Sequence, residues 1–146
     1  MRASEAPSAG TKEVVRSFVA LPCPEGVRRA LADASARWRE IPADVRWTAP
    51  ERIHVTLRFL GDATRLQLEV MDAALARRAA AAAPIVARSG RTGAFPDWRH
   101  PRVLWLGLDD DGGTARLAAE IDQDARAAGF HPETRPFTPH LTIGRV

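Results

Sequence analysis

Two short stretches of this 146-residue chain pair an imidazole with a hydroxyl at the same spacing. The first is Ile53-His54-Val55-Thr56-Leu57-Arg58-Phe59-Leu60-Gly61, and the second is Pro139-His140-Leu141-Thr142-Ile143-Gly144-Arg145. An imidazole titrates near neutral pH, so of two such groups one can stand neutral as a base while the other stands protonated as an acid. A hydroxyl beside them can donate to an oxygen on which negative charge builds in a transition state. A lone histidine in a strand is more often structural than catalytic, and a β-branched threonine is ordinary there. Repetition lifts the pair above that. Nine of the 146 residues are threonine, yet two of the four histidines carry one two positions on, inside matching apolar flanks.

Both stretches alternate apolar with other residues, which predicts half-buried strands. His54, Thr56 and Arg58 then share one face, and His140 and Thr142 share the equivalent face of the second strand. Strict alternation assigns Arg145 to the apolar face, so it reaches the histidine face only if the strand ends or twists there.

The elements that must position these strands read as follows. Val14 to Leu21 is β-branched and apolar, a buried strand. Pro24 opens a helix to about Glu40, with Val27, Leu31, Ala34 and Trp38 on its apolar stripe, and Val45 to Thr48 is a short strand. Asp62 is expected to cap a helix running to about Ala83, buried through Leu66, Val70 and Leu75 and stopped by Pro84. Ile85 to Arg88 reads as a strand, Ser89 to Pro101 as a loop, and Arg102 to Leu108 as a strand. Asp109 to Gly113 is a turn, and Thr114 to Ala128 a helix stopped by Gly129. Adding 86 to a residue number carries His54 to His140 and Phe18 to Leu104, so strand, helix and motif strand occur twice. The expected fold is α+β and bilobal with pseudo-twofold symmetry: two antiparallel sheets facing a central cleft, helices packed outside.

Composition narrows the function classes. The formal charge is +3 with a pI near 10.3, and nearly every cation is arginine, Lys12 being the sole lysine. Arginine's planar fork suits phosphate oxygens, although an Arg- and Ala-rich composition can equally reflect genomic base content. Cys23 is the only cysteine, which excludes an intrachain disulfide and a cysteine zinc cluster. In Leu21-Pro22-Cys23-Pro24 it reads as a strand-to-helix junction rather than a nucleophile. No apolar run reaches spanning length and the N-terminus lacks an apolar signal core, so a cytoplasmic protein is expected. Residues 1–13 are expected to form a flexible N-terminus and residues 14–146 a single domain.

The quoted stretches resemble the paired HxTx motifs of the two-histidine phosphoesterases, and among them the LigT-like RNA 2',3'-cyclic phosphodiesterases, also called 2'-5' RNA ligases. The similarity includes Val45-Arg46-Trp47, Gly93-Ala94-Phe95-Pro96, Pro101-Arg102-Val103-Leu104-Trp105-Leu106-Gly107 and Phe137-Thr138-Pro139, and spans roughly Val14 to Val146. It implies the same bilobal α+β fold and hydrolysis of RNA 2',3'-cyclic phosphate ends to 2'-phosphomonoesters. It also implies His54 as proton donor and His140 as proton acceptor; the residues alone do not assign these roles. Thr56 and Thr142 become donors to the phosphate oxygens, Arg145 matches the family's arginine five residues past the second histidine, and Arg58 becomes a residue that steers RNA. The scheme calls for no metal and no cofactor. The expected partners are RNA ends with 2',3'-cyclic phosphate or small cyclic nucleotides, with no membrane and no obligate protein partner, and a monomer is expected. The family pattern continues for some tens of residues past the second motif and adds a strand, so this chain departs from it at Val146, where the motif strand is expected to be unpinned.

Two other readings share the motifs. One keeps the chemistry but acts on cyclic nucleotides, ADP-ribose cyclic phosphate or 2'-5' linked oligonucleotides. The other is a module that binds RNA ends without turnover. His100 and His131, both next to prolines, read as surface residues. Asp109-Asp110-Asp111-Gly112-Gly113 lacks the spaced ligands of a calcium loop and reads as a turn with a helix cap. The four tryptophans are mainly core candidates, with Trp98, near Phe95, able to stack on a base.

Overall fold

The computed structural model describes residues 12–146. Most of the expected flexible N-terminus therefore lies outside the described residues. Ten elements follow in order: β1 (Val14–Pro22), α1 (Glu25–Arg39), β2 (Arg46–Trp47), a 3-10 turn (Pro50–Arg52), β3 (His54–Thr64), α2 (Arg65–Ala81), β4 (Arg88–Phe95), β5 (Val103–Asp109), α3 (Gly113–Ala127) and β6 (His140–Arg145).

They form two antiparallel sheets. β1 pairs with β3, and the second sheet runs β2-β6-β5-β4. β3 and β6, the two motif strands, lie side by side where the sheets meet. One core spans both halves: Val19, Leu31, Val55, Leu57, Met71, Ile121 and Leu141 come from β1, all three helices, β3 and β6. α3 follows β5 in the chain but packs on β3 of the other sheet, which ties the lobes together.

Local signals explain the boundaries, and several differ from the alternation reading. β3 runs on to Thr64 rather than ending at Gly61, so Thr64 and not Asp62 caps α2. The cap is reciprocal: the Gln67 amide donates to the Thr64 hydroxyl at 3.3 Å while the Gln67 side chain accepts from the Thr64 amide at 3.0 Å. This offset turns the helix, burying Met71 and Ala74 and leaving Leu66 and Val70 exposed. In α1, Val27 likewise stays exposed, and Leu31 and Ser35 are the buried residues. β4 begins where the expected strand stops and occupies half of the expected loop, because Gly90, Gly93 and Gly107 let β4 and β5 approach. A Cβ at Gly93 would lie 2.0 Å from the Trp105 ring, so the indole takes the space a side chain would need.

The final strand is not loose. β6 sits inside its sheet between β5 and β2, and the Val146 amide donates to the Arg102 carbonyl at 3.1 Å. The acidic turn before α3 is a helix cap: Asp110 is buried and accepts from the Gly112 and Thr114 amides at 3.0 and 2.8 Å.

Candidate active site

The two motif strands are built alike residue by residue. From His54 to Phe59 and from His140 to Arg145 the sequence of burial is the same: half-buried, buried, half-buried, buried, buried, exposed. Two consecutive buried residues cannot occur in regular alternation, and the pairing registers show their cause. Val19 faces Arg58 and Ala20 faces Thr56, leaving Leu57 as an extra residue in β3. Leu104 faces Gly144 and Trp105 faces Thr142, leaving Ile143 as an extra residue in β6. Each is a β-bulge, which reverses the facing of the residues that follow it, in β3 as far as a second bulge at Leu60. Leu57 and Ile143 are 86 residues apart.

The bulges correct the reading of Arg58 and supply the change of facing that Arg145 requires. Arg58 does not share the face of His54. It is turned inward, 7% exposed, with its Nε donating to Asp122 at 2.8 Å and its other nitrogens donating to the carbonyls of Phe59 and His131. It anchors the loop that leads to β6, and its charge is neutralised by Asp122. Arg145, which strict alternation would bury, is exposed because Ile143 takes the extra place. At the position equivalent to Arg58 stands Gly144, where a Cβ would meet Val45 at 2.8 Å and Trp47 at 3.0 Å. One half fills the inward space with an arginine and the other with a neighbouring strand.

Each imidazole is held by the same hydrogen bond. His54 Nδ1 lies 2.8 Å from the Arg52 carbonyl oxygen, and His140 Nδ1 lies 2.6 Å from that of Thr138. A carbonyl only accepts, so Nδ1 carries the proton in both rings, and Nε2 is the atom free to exchange one. The carbonyls are presented by irregular backbone just before each strand, the 3-10 turn ending at Arg52 and the Pro136-to-Pro139 segment.

Aromatic rings flank both histidines. Phe18 stacks on His54 with centroids 5.1 Å apart and planes 23° from parallel. Phe95 meets His140 edge-on at 5.1 Å, and Trp105 lies 6.1 Å from the same ring. The motifs do not reveal these neighbours, since Phe18, Phe95 and Trp105 reach the histidines only through strand pairing. Trp38 and Trp47 pack against one another at 5.6 Å, and Trp98 is 64% exposed.

Thr56 and Thr142 are half-buried, two residues along the same face from each histidine. Cys23 is buried between β1 and α1, and burial pushes its thiol above the ordinary 9.0 despite Arg28 nearby, which suits packing rather than nucleophilic attack. His100 and His131 are exposed. Among the described residues there is no group of three or more His, Cys, Asp or Glu arranged to hold a metal ion, and no helix is long and apolar enough to cross a membrane.

Comparison with known proteins agrees with this geometry. The family described as LigT like Phosphoesterase matches residues 21–105 and 106–146. An RNA 2',3'-cyclic phosphodiesterase of Methanothermobacter thermautotrophicus is 32% identical over 132 residues, covering 90% of this chain and 71% of its own length. The one from Bacillus subtilis is 34% identical over 128 residues, covering 88% and 69%. Among solved structures, the E. coli LigT complexed with 3'-AMP superposes with a TM-score of 0.74 at 27% identity, covering 91% of this chain and 74% of that one. A protein of Thermus thermophilus gives 0.75 at 31% identity, covering 90% and 74%. With both motif strands, their intervening elements and nearly the whole chain matched, the protein belongs to the LigT-like phosphoesterase family.

Proposed function

We propose that this protein hydrolyses RNA 2',3'-cyclic phosphate ends to 2'-phosphomonoesters, with His54 and His140 converging on one phosphate. The observation that carries the reading is the duplicated strand in which each histidine, locked through Nδ1 to the carbonyl two residues before it, keeps Nε2 free. The names of the relatives supply the substrate class.

In this mechanism His140 is neutral and its Nε2 takes a proton from water as the water oxygen bonds to phosphorus. The bond from phosphorus to the ribose 3' oxygen breaks, and protonated His54 gives that oxygen its Nε2 proton. The products are a 2'-phosphate and a free 3'-hydroxyl, and the two rings exchange their protonation states before the next cycle. Thr56 and Thr142 donate to the non-bridging oxygens as charge builds on them, and Arg145 adds a positive charge beside them. No step calls for a metal ion. The protein acts as a cytoplasmic monomer.

The test is turnover of an oligoribonucleotide ending in a 2',3'-cyclic phosphate, with the product identified as the 2'- or 3'-phosphate, in EDTA and with added divalent cations. Release of the 2'-phosphate in EDTA is expected. Binding without turnover would favour the RNA-end binding module instead.

A further inference from the structure

The face of the second sheet that carries His140 continues past Thr142. β5 has no extra residue opposite the bulge in β6, so Trp105 and Val103 point the same way, and with them their partners Thr142 and Arg145. Arg46 of β2 stands directly opposite Arg145 in the register and therefore shares that face. The next pair, Trp47 and Gly144, points the other way, where the indole packs over Gly144 and against Trp38. The register is pinned from that side. The Thr48 amide also donates to the carbonyl of Ile143, the extra residue of the bulge, at 2.9 Å.

Two like charges directly opposite in an antiparallel pair, with Cβ atoms about 4.5–5.5 Å apart, repel and cost stability. Nothing nearby offsets the repulsion. Both arginines are exposed, and among the described residues neither forms an ion pair with a carboxylate, whereas Arg58, Arg78 and Arg126 each hold an aspartate. An anion between the two guanidiniums turns the repulsion into attraction, and two planar forks match the several oxygens of one phosphate. Such a pair also selects by charge. A cyclic phosphodiester carries one negative charge, while the phosphomonoester left by ring opening carries about −1.5 to −2 at neutral pH.

We propose that Arg46 completes, with Arg145, a two-guanidinium seat for a terminal phosphomonoester, the group that ring opening leaves. The proposal rests on the function proposed above, in which Arg145 lies beside the phosphate and Arg46 has no part. With the seat in place the opened product is held more tightly than the cyclic substrate, so the enzyme is inhibited by its own product.

The experiment is calorimetric titration of the wild type and Arg46→Gln with a nucleoside 2'-monophosphate, its methyl ester and inorganic phosphate. The methyl ester keeps the shape but carries a single charge. The wild type is expected to bind the monophosphate more tightly than the ester. Arg46→Gln should weaken the monophosphate by about 10- to 150-fold, the range for a hydrogen bond to a charged group, and the ester much less. A matching loss with inorganic phosphate supports a seat that takes the anion by itself, and a loss with the nucleotide alone supports one that the nucleoside helps to fill. The variant's melting temperature without ligand should equal or exceed that of the wild type, because a repulsion has been removed. Unchanged affinity for the monophosphate, or equal losses for monophosphate and ester, overturns the seat. So does a variant that melts lower without ligand and loses affinity for all three probes alike, which makes Arg46 a brace of β2. If the wild type does not hydrolyse a cyclic phosphate, the catalytic reading fails, while these titrations still decide the seat.

Discussion

At the residue scale the decisive feature is the bond from each Nδ1 to a backbone carbonyl, Arg52 for His54 and Thr138 for His140. It assigns the tautomer and leaves Nε2 free for the proposed chemistry, with a carbonyl rather than a carboxylate behind each ring. A base and an acid of the same chemical kind produce a rate that falls at both ends of the pH scale, because acid protonates the base and alkali discharges the acid. The kcat/KM profile of the wild type is therefore expected to be bell-shaped, and a monotonic profile would rule out a two-histidine relay. His54→Ala and His140→Ala should each abolish most turnover, and the double variant should be little worse, since members of one relay are not additive. Thr56→Ala or Thr142→Ala should cost on the order of 10²–10³ in kcat, the usual scale for one donor to a developing oxyanion. Steady-state kinetics on purified single variants distinguishes these levels.

At the element scale the matched bulges decide which side chains share the face of the histidines. They send Arg58 into the interior and bring Phe59 and Arg145 out. Arg58→Ala leaves Asp122 with a weaker set of partners and releases the His131 carbonyl, so a loss of about 3 kcal/mol in unfolding free energy is expected from urea denaturation. A loss of activity at unchanged stability would instead return Arg58 to the substrate. Gly144→Ala puts a Cβ 2.8 Å from Val45, so β2 must shift away from β6. That variant should be destabilised and should lose activity through the displaced Arg145, with the fall in melting temperature as its first sign.

At the scale of the whole molecule, Asp124 ties α3 to α2 and Asp122 ties α3 to β3 and the α3–β6 loop, while Asp110 and Glu133 brace their own turns. Arg78 holds Asp124 below the ordinary 3.8 through a hydrogen bond at 2.7 Å. Burial raises Asp122 and Asp110, but hydrogen bonds from Glu133 and Arg58 to the first, and from Thr114 and Gly112 to the second, outweigh it and leave both lowered. The Arg135 amide leads the groups that lower Glu133. A carboxylate whose value is lower folded than unfolded stabilises the native state above its unfolded value, and that contribution disappears as pH falls through the folded one. The urea midpoint should thus be flat from neutral to about pH 5 and fall steeply below about pH 4. Asp124→Asn should flatten part of that acid limb, and an unaltered limb would show that the Arg78 pair carries none of it. Ile121, 2% exposed in the shared core, should cost about 2–5 kcal/mol when cut to alanine.

The sequence by itself determined the parts that depend on local pattern. Alternation around His54 and His140 is a property of a few consecutive residues, as is the prolines' punctuation of α1 and α2, and the 86-residue repeat follows from comparing the chain with itself. These were enough for two motif strands, three helices, an α+β class and the four side chains of the proposed site, His54, Thr56, His140 and Thr142. Alternation could not show where the period breaks, because a bulge is set by the partner strand: β1 pairs with β3 so as to leave Leu57 over, and β5 pairs with β6 so as to leave Ile143 over. That is why Arg58 read as a cleft residue, and why Arg145, expected at the phosphate, could reach the histidine face only through a break in the alternation. Neighbours across strands were equally out of reach, since Phe18 meets His54 from a strand more than thirty residues earlier in the chain and Trp105 fits beside His140 only because Gly93 is bare. Tertiary structure decided the facing of these side chains, because in a sheet the side a residue takes depends on the count of residues in both strands.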